Sequence, residues 1–167
     1  MRKFAFTGVA AGISLALAGA ANAASPATTS FDVSASVADN CFVTATDLNF
    51  EGYDAGTEKT ATSSVKVRCT KGTSYTVELS AGSGSYGQRE MLSGAEKLQY
   101  NLYTDSNHSS VWGDDTGSTD VVADTGAGLA ANKEKTHTVY GKIPDSEANQ
   151  NAPAGSYSDS ITVTVEY

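Results

Sequence analysis

The chain has 167 residues, with 11 Lys and Arg against 19 Asp and Glu, and its net charge is −8 at neutral pH. This acidic balance argues against nucleic acids and anionic membrane surfaces as partners, because both attract basic proteins. Leu, Ile, Val and Phe make up only about 16% of residues 24–167, a low share for a chain that builds its whole core alone.

Residues 1–23 have the pattern of a secretory signal peptide. A basic start precedes an apolar run over residues 9–18, and Ala21-Asn22-Ala23 matches an A-x-A cleavage site. We therefore expect export from the cytoplasm and cleavage before Ala24. The apolar run is too short to cross a bilayer as a helix, and no later stretch is long enough, so we expect no membrane span.

Apolar and polar residues alternate with a period of two through much of the remaining chain, and this pattern predicts β-strands. We expect strands over residues 31–37, 41–50, 61–69, 75–79, 98–103, 136–143 and 158–167, with a short piece at Val111-Trp112. The connections are rich in Gly, Ser, Asp and Asn, as turns require. About seven or eight short strands with such turns predict an all-β fold, an immunoglobulin-like antiparallel β-sandwich.

The two cysteines, Cys41 and Cys69, predict one disulfide, because an even pair in an exported protein is normally oxidised. The sequence has no C-x-x-C motif, so nothing in it supports a redox or zinc function for these thiols.

The predicted strands nearest the two ends of the chain each carry an apolar face. The first face consists of Phe31, Val33, Ala35 and Val37, and the last consists of Ile161, Val163, Val165 and Tyr167. A strand with such a face tends to aggregate unless it pairs with a partner. Pairing of one copy's strand with an open groove on another copy is a known form of β-augmentation, and it would also explain the small apolar content.

Three patterns that can carry chemistry have simpler interpretations here. Residues 82–87 form a G-x-G-x-x-G, but a dinucleotide site needs a helix at its last glycine, and a strand pattern follows instead. A zinc site would need both histidines, His108 and His137, together with carboxylates. The Asp105-x-Asn107-x-Ser109 start of a calcium loop lacks the later glycine and glutamate. We predict no catalytic residues, no metal and no cofactor.

Several sequence blocks resemble those of spore coat protein U domains, in the same order and with similar spacing. The blocks are Leu98–Asp105, Val111–Asp114, Val139–Pro144, Ala154–Asp159 and Ile161–Tyr167, and the resemblance covers residues 30–167. This family includes the subunits of archaic, Csu-type chaperone–usher pili. In such subunits the sandwich lacks its last strand. A periplasmic chaperone supplies it first, and the N-terminal strand of the next subunit then replaces the chaperone at the outer-membrane usher.

The resemblance assigns roles to the residues already singled out. The donor strand would be formed by Phe31, Val33, Ala35 and Val37, and the acceptor groove and chaperone-binding strand by Ile161, Val163, Val165 and Tyr167. Cys41 and Cys69 lie where the family has its disulfide. The implied organisation is a signal peptide at 1–23, an N-terminal extension with the donor strand at 24–39, and a pilin sandwich at 40–167.

Two functions are compatible with these observations. In the first, the chain is a structural subunit of a surface fibre for adhesion and biofilm formation. Its partners are other copies or related pilin subunits, the chaperone and the usher. In the second, it is a self-complete secreted coat or binding module, in which residues 31–37 fold back into their own domain.

Overall fold

The computed structural model describes residues 25–167, and the predicted signal peptide at 1–23 lies outside them. The chain divides into two units, Met1–Ala35 and Ser36–Tyr167. In the first unit, the described residues 25–35 contain neither strand nor helix. The second unit holds the strands described below.

Two antiparallel sheets form the second unit, which confirms the all-β prediction. The five-stranded sheet has the order β1 (Cys41–Ala45), β2 (Lys59–Cys69), β7 (Lys135–Ile143), β5 (Glu96–Tyr103) and β4 (Arg89–Ser93), and the three-stranded sheet has the order β6 (Val122–Thr125), β3 (Ser74–Leu79) and β8 (Val163–Glu166). A 3₁₀ turn (Ala131–Lys133) precedes β7, and a single helical turn, α1 (Glu147–Gln150), follows it.

The core lies between the facing surfaces of the two sheets. Its side chains occupy alternate strand positions, such as Val65 and Val67 of β2 and Val77 and Leu79 of β3, because successive side chains of a strand point to opposite faces. Trp112 is fully buried among them, and its indole nitrogen donates a 2.8 Å hydrogen bond to the Val77 carbonyl. Trp112 is thus part of the core.

Several predicted strands have different bounds in the structure. The strand predicted over 41–50 ends at Ala45, and the piece at Val111-Trp112 forms only isolated bridges. The segment 158–167 is divided into a bridge at Ser158 and the four-residue β8. Residues 31–37 form no strand. A strand needs a neighbouring strand to hydrogen-bond its backbone groups. Alternation in the sequence does not show whether such a neighbour is present.

Two strands were not predicted at all. β4 was missed because its inward positions are Arg89, Met91 and Ser93, so an arginine and a serine stand where the pattern calls for apolar residues. β6 has only four residues, and one of them is Asp124, which makes it too short and too polar for a periodicity test.

The Arg89 side chain lies at the centre of a buried polar network. It is 0% exposed, and its Nε and Nη2 atoms donate to the Ser80 carbonyl at 3.0 and 2.8 Å. Nη2 also donates to the Trp112 carbonyl, and Nη1 to Asn101 Oδ1, both at 2.7 Å. Burial lowers the pKa of Arg89, but a guanidinium keeps its charge at neutral pH. One side chain thus joins β4 and β5 to the end of β3.

Replacing Arg89 with Met should destabilise the fold by about 3–5 kcal/mol, because several buried carbonyl groups would lose their donors. Urea unfolding of the variant measures this change in the free energy of unfolding. Lys97→Met in the same β4–β5 hairpin is the control. It removes an exposed ion pair with Glu90 (2.7 Å) and should cost less than about 1 kcal/mol. Equal losses in the two variants would contradict the role given to Arg89.

Candidate functional site: an apolar groove beside β8

Strand β8 lies at an edge of the three-stranded sheet. It pairs with β3 in the antiparallel register Thr76↔Glu166 to Leu79↔Val163. Within residues 36–167, no other strand of this sheet pairs with its second edge. The backbone groups along that edge are therefore available to a further strand.

A groove of about 830 Å³ opens over the inner face of the five-stranded sheet, next to the start of β8. Four strands of that sheet form its floor, and the apolar side chains that line it are Val65, Met91, Leu98, Leu102, Val139 and Ile143. Met91 is half-buried, whereas the other five side chains are buried, with only 1–6% of their surface exposed. The groove is therefore an open cleft whose apolar floor is already largely covered.

One wall of the groove is the irregular segment 46–55, which follows β1. Phe50 is buried, and its ring lies edge-on to Tyr100 with the centroids 6.2 Å apart. Leu48 and Phe50 lie directly over Gly141 of β7, where an added Cβ would approach their side-chain carbons to 2.8 and 2.9 Å. Because Gly141 has no side chain, the Leu48 and Phe50 side chains can pack directly on the backbone of β7.

The opposite wall is the segment 157–163, which leads into β8. Ser158 pairs with Leu92 of β4, with N–O distances of 2.8 and 3.1 Å, and so it belongs to the edge of the five-stranded sheet. A few residues later, Thr162 exchanges hydrogen bonds with Ser80, and β8 pairs with β3. This wall therefore passes from one sheet to the other.

Asp159 stands where this crossing takes place. Its carboxylate accepts hydrogen bonds from the Tyr100 hydroxyl (2.6 Å) and from the backbone nitrogen (3.0 Å) and hydroxyl (2.9 Å) of Ser83. Burial, followed by the hydrogen bond and charge of Asp159, raises the pKa of Tyr100 far above its ordinary value. Tyr100 is therefore a permanent donor to the carboxylate.

The structure places the four predicted acceptor residues unequally. Ile161 and Val163 are half-buried and line the groove, whereas Val165 contacts the core on the same face of β8 but lies outside the groove lining. Tyr167 follows β8 and is 61% exposed.

The four predicted donor residues lie in chain that has no secondary structure. Phe31, Val33 and Val37 are 84–86% exposed, and Ala35 is exposed as well. The second unit begins at Ser36, and Asn40 is held within it by Thr70. The Asn40 backbone nitrogen donates to Thr70 Oγ1 at 3.1 Å, and the Thr70 backbone nitrogen donates to the Asn40 carbonyl at 2.9 Å.

The predicted disulfide between Cys41 and Cys69 is present, and its two half-cystines are direct register partners of β1 and β2. Among the strands of residues 25–167, β1 is hydrogen-bonded to β2 alone, and Phe42 on its outer face is half-exposed. The disulfide thus fixes covalently the strand that leads into the wall at 46–55.

The patterns set aside in the sequence have structural functions. Residues 82–87 form the loop between β3 and β4, and no helix follows them. The His137 ring hydrogen-bonds the Tyr75 hydroxyl at 3.1 Å, while His108 lies edge-on to Tyr103. The Asp105 carboxylate accepts only from its own turn, including Ser110. Among residues 25–167, no group of three His, Cys, Asp or Glu side chains is arranged to hold a metal ion.

Comparison with known proteins agrees with this geometry. The sequence profile of the Spore Coat Protein U domain matches residues 27–164. The chain belongs to the Spore Coat Protein U domain family. No curated protein matches it.

A solved structure similar to this Spore Coat Protein U domain comes from Acinetobacter baumannii. It is the CsuC–CsuE chaperone–tip adhesion subunit pre-assembly complex of the archaic chaperone–usher Csu pili. The match has a TM-score of 0.58 and 26% sequence identity, and it covers 78% of this chain but only 40% of that chain. It confirms the sandwich prediction and relates the fold to Csu pili.

Sequence reasoning missed several residues that shape the groove. Leu48, Phe50 and Met91 lie in segments that were assigned wrongly or not at all, and Asp159 was part of a family block without a stated function. Asp159 is the kind of residue that a sequence can indicate, because it is a charged side chain inside a segment predicted to be a half-buried strand.

In the part of the chain that the structure describes, no helix is long and apolar enough to cross a membrane.

Removing the disulfide by Cys41→Ala together with Cys69→Ala should lower the free energy of unfolding by about 3–4 kcal/mol, since the bond closes a loop of 28 residues. Urea unfolding under non-reducing conditions measures the loss. Wild-type protein treated with a reductant should show the same decrease. A double variant as stable as the oxidised protein would show that the loop is already ordered without the bond.

Proposed function

We propose that this domain is an exported structural subunit of a surface fibre of the archaic chaperone–usher type, and that it polymerises by donor-strand exchange. The observation that carries the proposal is the second edge of β8, which is unpaired within residues 36–167 and lies beside a groove with an apolar floor. The same chain supplies an exposed apolar segment, residues 31–37, of the kind that such a groove accepts.

The donor and acceptor segments match in length and pattern. Residues 31–37 and 161–167 each contain four alternate positions on one face, and each would extend over about 20 Å as a strand. Apart from Ala35, every donor position carries a large apolar side chain. A donor strand along β8 would continue the three-stranded sheet by one strand.

Burial of the donor side chains supplies much of the driving force. Phe31, Val33 and Val37 are almost fully exposed, and complete burial of each is worth about 1.5–3 kcal/mol. The backbone of the donor would also satisfy the groups along the edge of β8. Both gains are available only in the assembled state, which favours a polymer over the separate subunits.

The similarity to a chaperone–subunit complex supports a periplasmic chaperone as the first partner and an outer-membrane usher as the site of assembly. Exposed apolar segments and an open strand edge aggregate readily, so a subunit with this groove needs protection between export and assembly. The proposed location is the periplasm followed by the cell surface. The proposed function is structural and requires no catalytic group or cofactor.

The test is an unboiled SDS gel of periplasmic protein from cells that co-express a pilus chaperone. The full chain should give a ladder of oligomers, because donor-strand polymers resist SDS until heated. A variant lacking residues 25–37 should give a single band. This deletion retains residues 38–40, which belong to the second unit and include Ala38 and Asn40, both hydrogen-bonded to Thr70.

Two point variants refine this test. Val33→Asp should reduce the ladder about tenfold or more, because it places a charge on the apolar donor face. Ser34→Asp adds the same charge to the opposite face and should leave the ladder intact. Ladders from the deletion variant or from Val33→Asp would rule out this donor segment. Single bands from every form, including the full chain, would instead favour a self-complete coat or binding module.

A matched pair of variants in β8 tests the acceptor strand. Val163→Asn should destabilise the domain by about 1–3 kcal/mol and lower the yield of subunit–chaperone complex, since its side chain faces the groove. Thr164→Asn, on the exposed outer face of the same strand, should change neither quantity. Complex recovered by pull-down on a tagged chaperone measures the yield. Equal yields from the two variants would show that β8 does not contact the chaperone through its inner face.

A further inference from the structure

The route of residues 157–166 carries an inference beyond the location of the groove. This segment begins on the five-stranded sheet, where Ser158 pairs with Leu92, and ends on the three-stranded sheet, where β8 pairs with β3. Between them, Ile161 turns its side chain into the groove. The position of this wall therefore depends on the point at which the chain leaves one sheet for the other.

Asp159 supplies long-range bonds at that point. Its Oδ2 atom accepts from the Tyr100 hydroxyl at 2.6 Å, and its Oδ1 atom accepts from the Ser83 nitrogen at 3.0 Å and the Ser83 hydroxyl at 2.9 Å. Oδ1 also accepts from the Ser160 nitrogen at 2.8 Å. One carboxylate thus joins the crossing segment to β5 and to the loop between β3 and β4.

The loop around Ser83 is shaped to hold this carboxylate. Gly82 has a φ of +65°, and a Cβ at this position would lie 2.1 Å from Asp159 Oδ2. Only glycine combines that backbone conformation with that close approach. The first glycine of the stretch at 82–87, which resembles a nucleotide motif in sequence, is thus required by its contact with a carboxylate of the same chain.

Tyr100 connects this anchor to the other wall of the groove. It is 5% exposed, its hydroxyl donates to Asp159, and its ring lies edge-on to Phe50 of the segment 46–55. Tyr100, a side chain in the floor of the groove, therefore contacts both walls and sets the distance between them.

We propose that Asp159 is a positioning residue for donor-strand uptake, which holds the crossing segment so that Ile161 and Val163 present a preformed groove to the incoming strand. This inference rests on the proposed function. If the groove is formed in only a fraction of the molecules, its apparent affinity for the donor strand is reduced by that fraction. Loss of the anchor should therefore slow uptake of the donor strand even when the rest of the fold is intact.

The chain offers a matched control in Asp105. This residue is also half-buried, and its carboxylate also accepts from four donors, namely the backbone nitrogens of Asn107, Ser109 and Ser110 and the Ser109 hydroxyl. All of these donors lie within its own turn. Asp105→Ala therefore removes a comparable set of hydrogen bonds without affecting the groove.

The experiment uses the mature full chain carrying Val33→Asp, which blocks self-donation, and a labelled synthetic peptide of residues 27–40 as the donor. Two quantities are measured, the amide hydrogen exchange of residues 160–166 before peptide is added and the rate of peptide uptake by fluorescence anisotropy. Asp159→Ala should raise the exchange about tenfold or more and slow the uptake by a similar factor, because bonds to a charged group are lost.

Two further variants separate positioning from general stability. Asp159→Asn should keep both quantities within about threefold of the parent, because an amide retains the acceptor for Ser83 and can donate to the Tyr100 oxygen. Tyr100→Phe removes only the 2.6 Å bond and should move both quantities in the direction of Asp159→Ala. It also serves if Asp159→Ala fails to fold. Asp105→Ala should raise exchange in residues 105–110 alone and leave uptake unchanged.

The outcomes distinguish this inference from the proposed function. If Asp159→Ala leaves the exchange of residues 160–166 unchanged, the positioning role is overturned. If Asp159→Ala does not fold, an unchanged exchange in Tyr100→Phe overturns it instead. Increased exchange with unchanged uptake also overturns it. If the parent protein takes up no peptide, the donor-strand proposal fails, and the exchange data alone then decide whether Asp159 fixes this wall.

Discussion

A β-strand carries hydrogen-bonding groups along both edges, and within residues 36–167 strand β8 has a partner, β3, on one edge only. This unmatched edge is the constraint from which the other features follow. Beside this edge, apolar side chains such as Leu98 and Val139 form the floor of a groove. If a donor strand from another copy fills the groove, as proposed, its side chains would add to the core, and this would account for the small share of large aliphatic residues.

An open apolar groove tends to close, and polar anchors in the surrounding structure oppose that tendency. Arg89 joins β4 and β5 to the end of β3 through carbonyl oxygens, while Asp159 and Tyr100 connect the crossing segment to the floor. Leu48 and Phe50 attach the other wall over Gly141. The hydrogen bonds of Asp159 hold the wall at 157–163 in place, whereas apolar contacts alone would draw the two walls together.

Much of this arrangement could be predicted from the sequence, and the parts that could not have physical reasons. Alternation identified β2, β3, β5 and β7, because each of these strands buries one apolar face in the core. Alternation failed for β4, because the fully buried position of that strand is the charged Arg89. It also could not divide residues 158–167 between the two sheets, because periodicity shows which face of a strand is buried and not which sheet provides its neighbour. Of the four residues predicted to form the acceptor strand, Ile161 and Val163 line the groove, and their assignment as an acceptor stays a prediction. The long-range partners of Asp159 lie 59 and 76 residues away and leave no local pattern in the sequence.

The disulfide between Cys41 and Cys69 has a mechanical consequence for a fibre built from such domains. Tension applied through the N-terminal segment would reach Asn40 and then Cys41, before any hydrogen bond of β1 carries load. The sulfur–sulfur bond transmits that force directly to β2, which is hydrogen-bonded on both of its edges. If the domains are joined through their N-terminal segments, as proposed, the exposed edge strand would be bypassed, and each domain would resist stretching through β2.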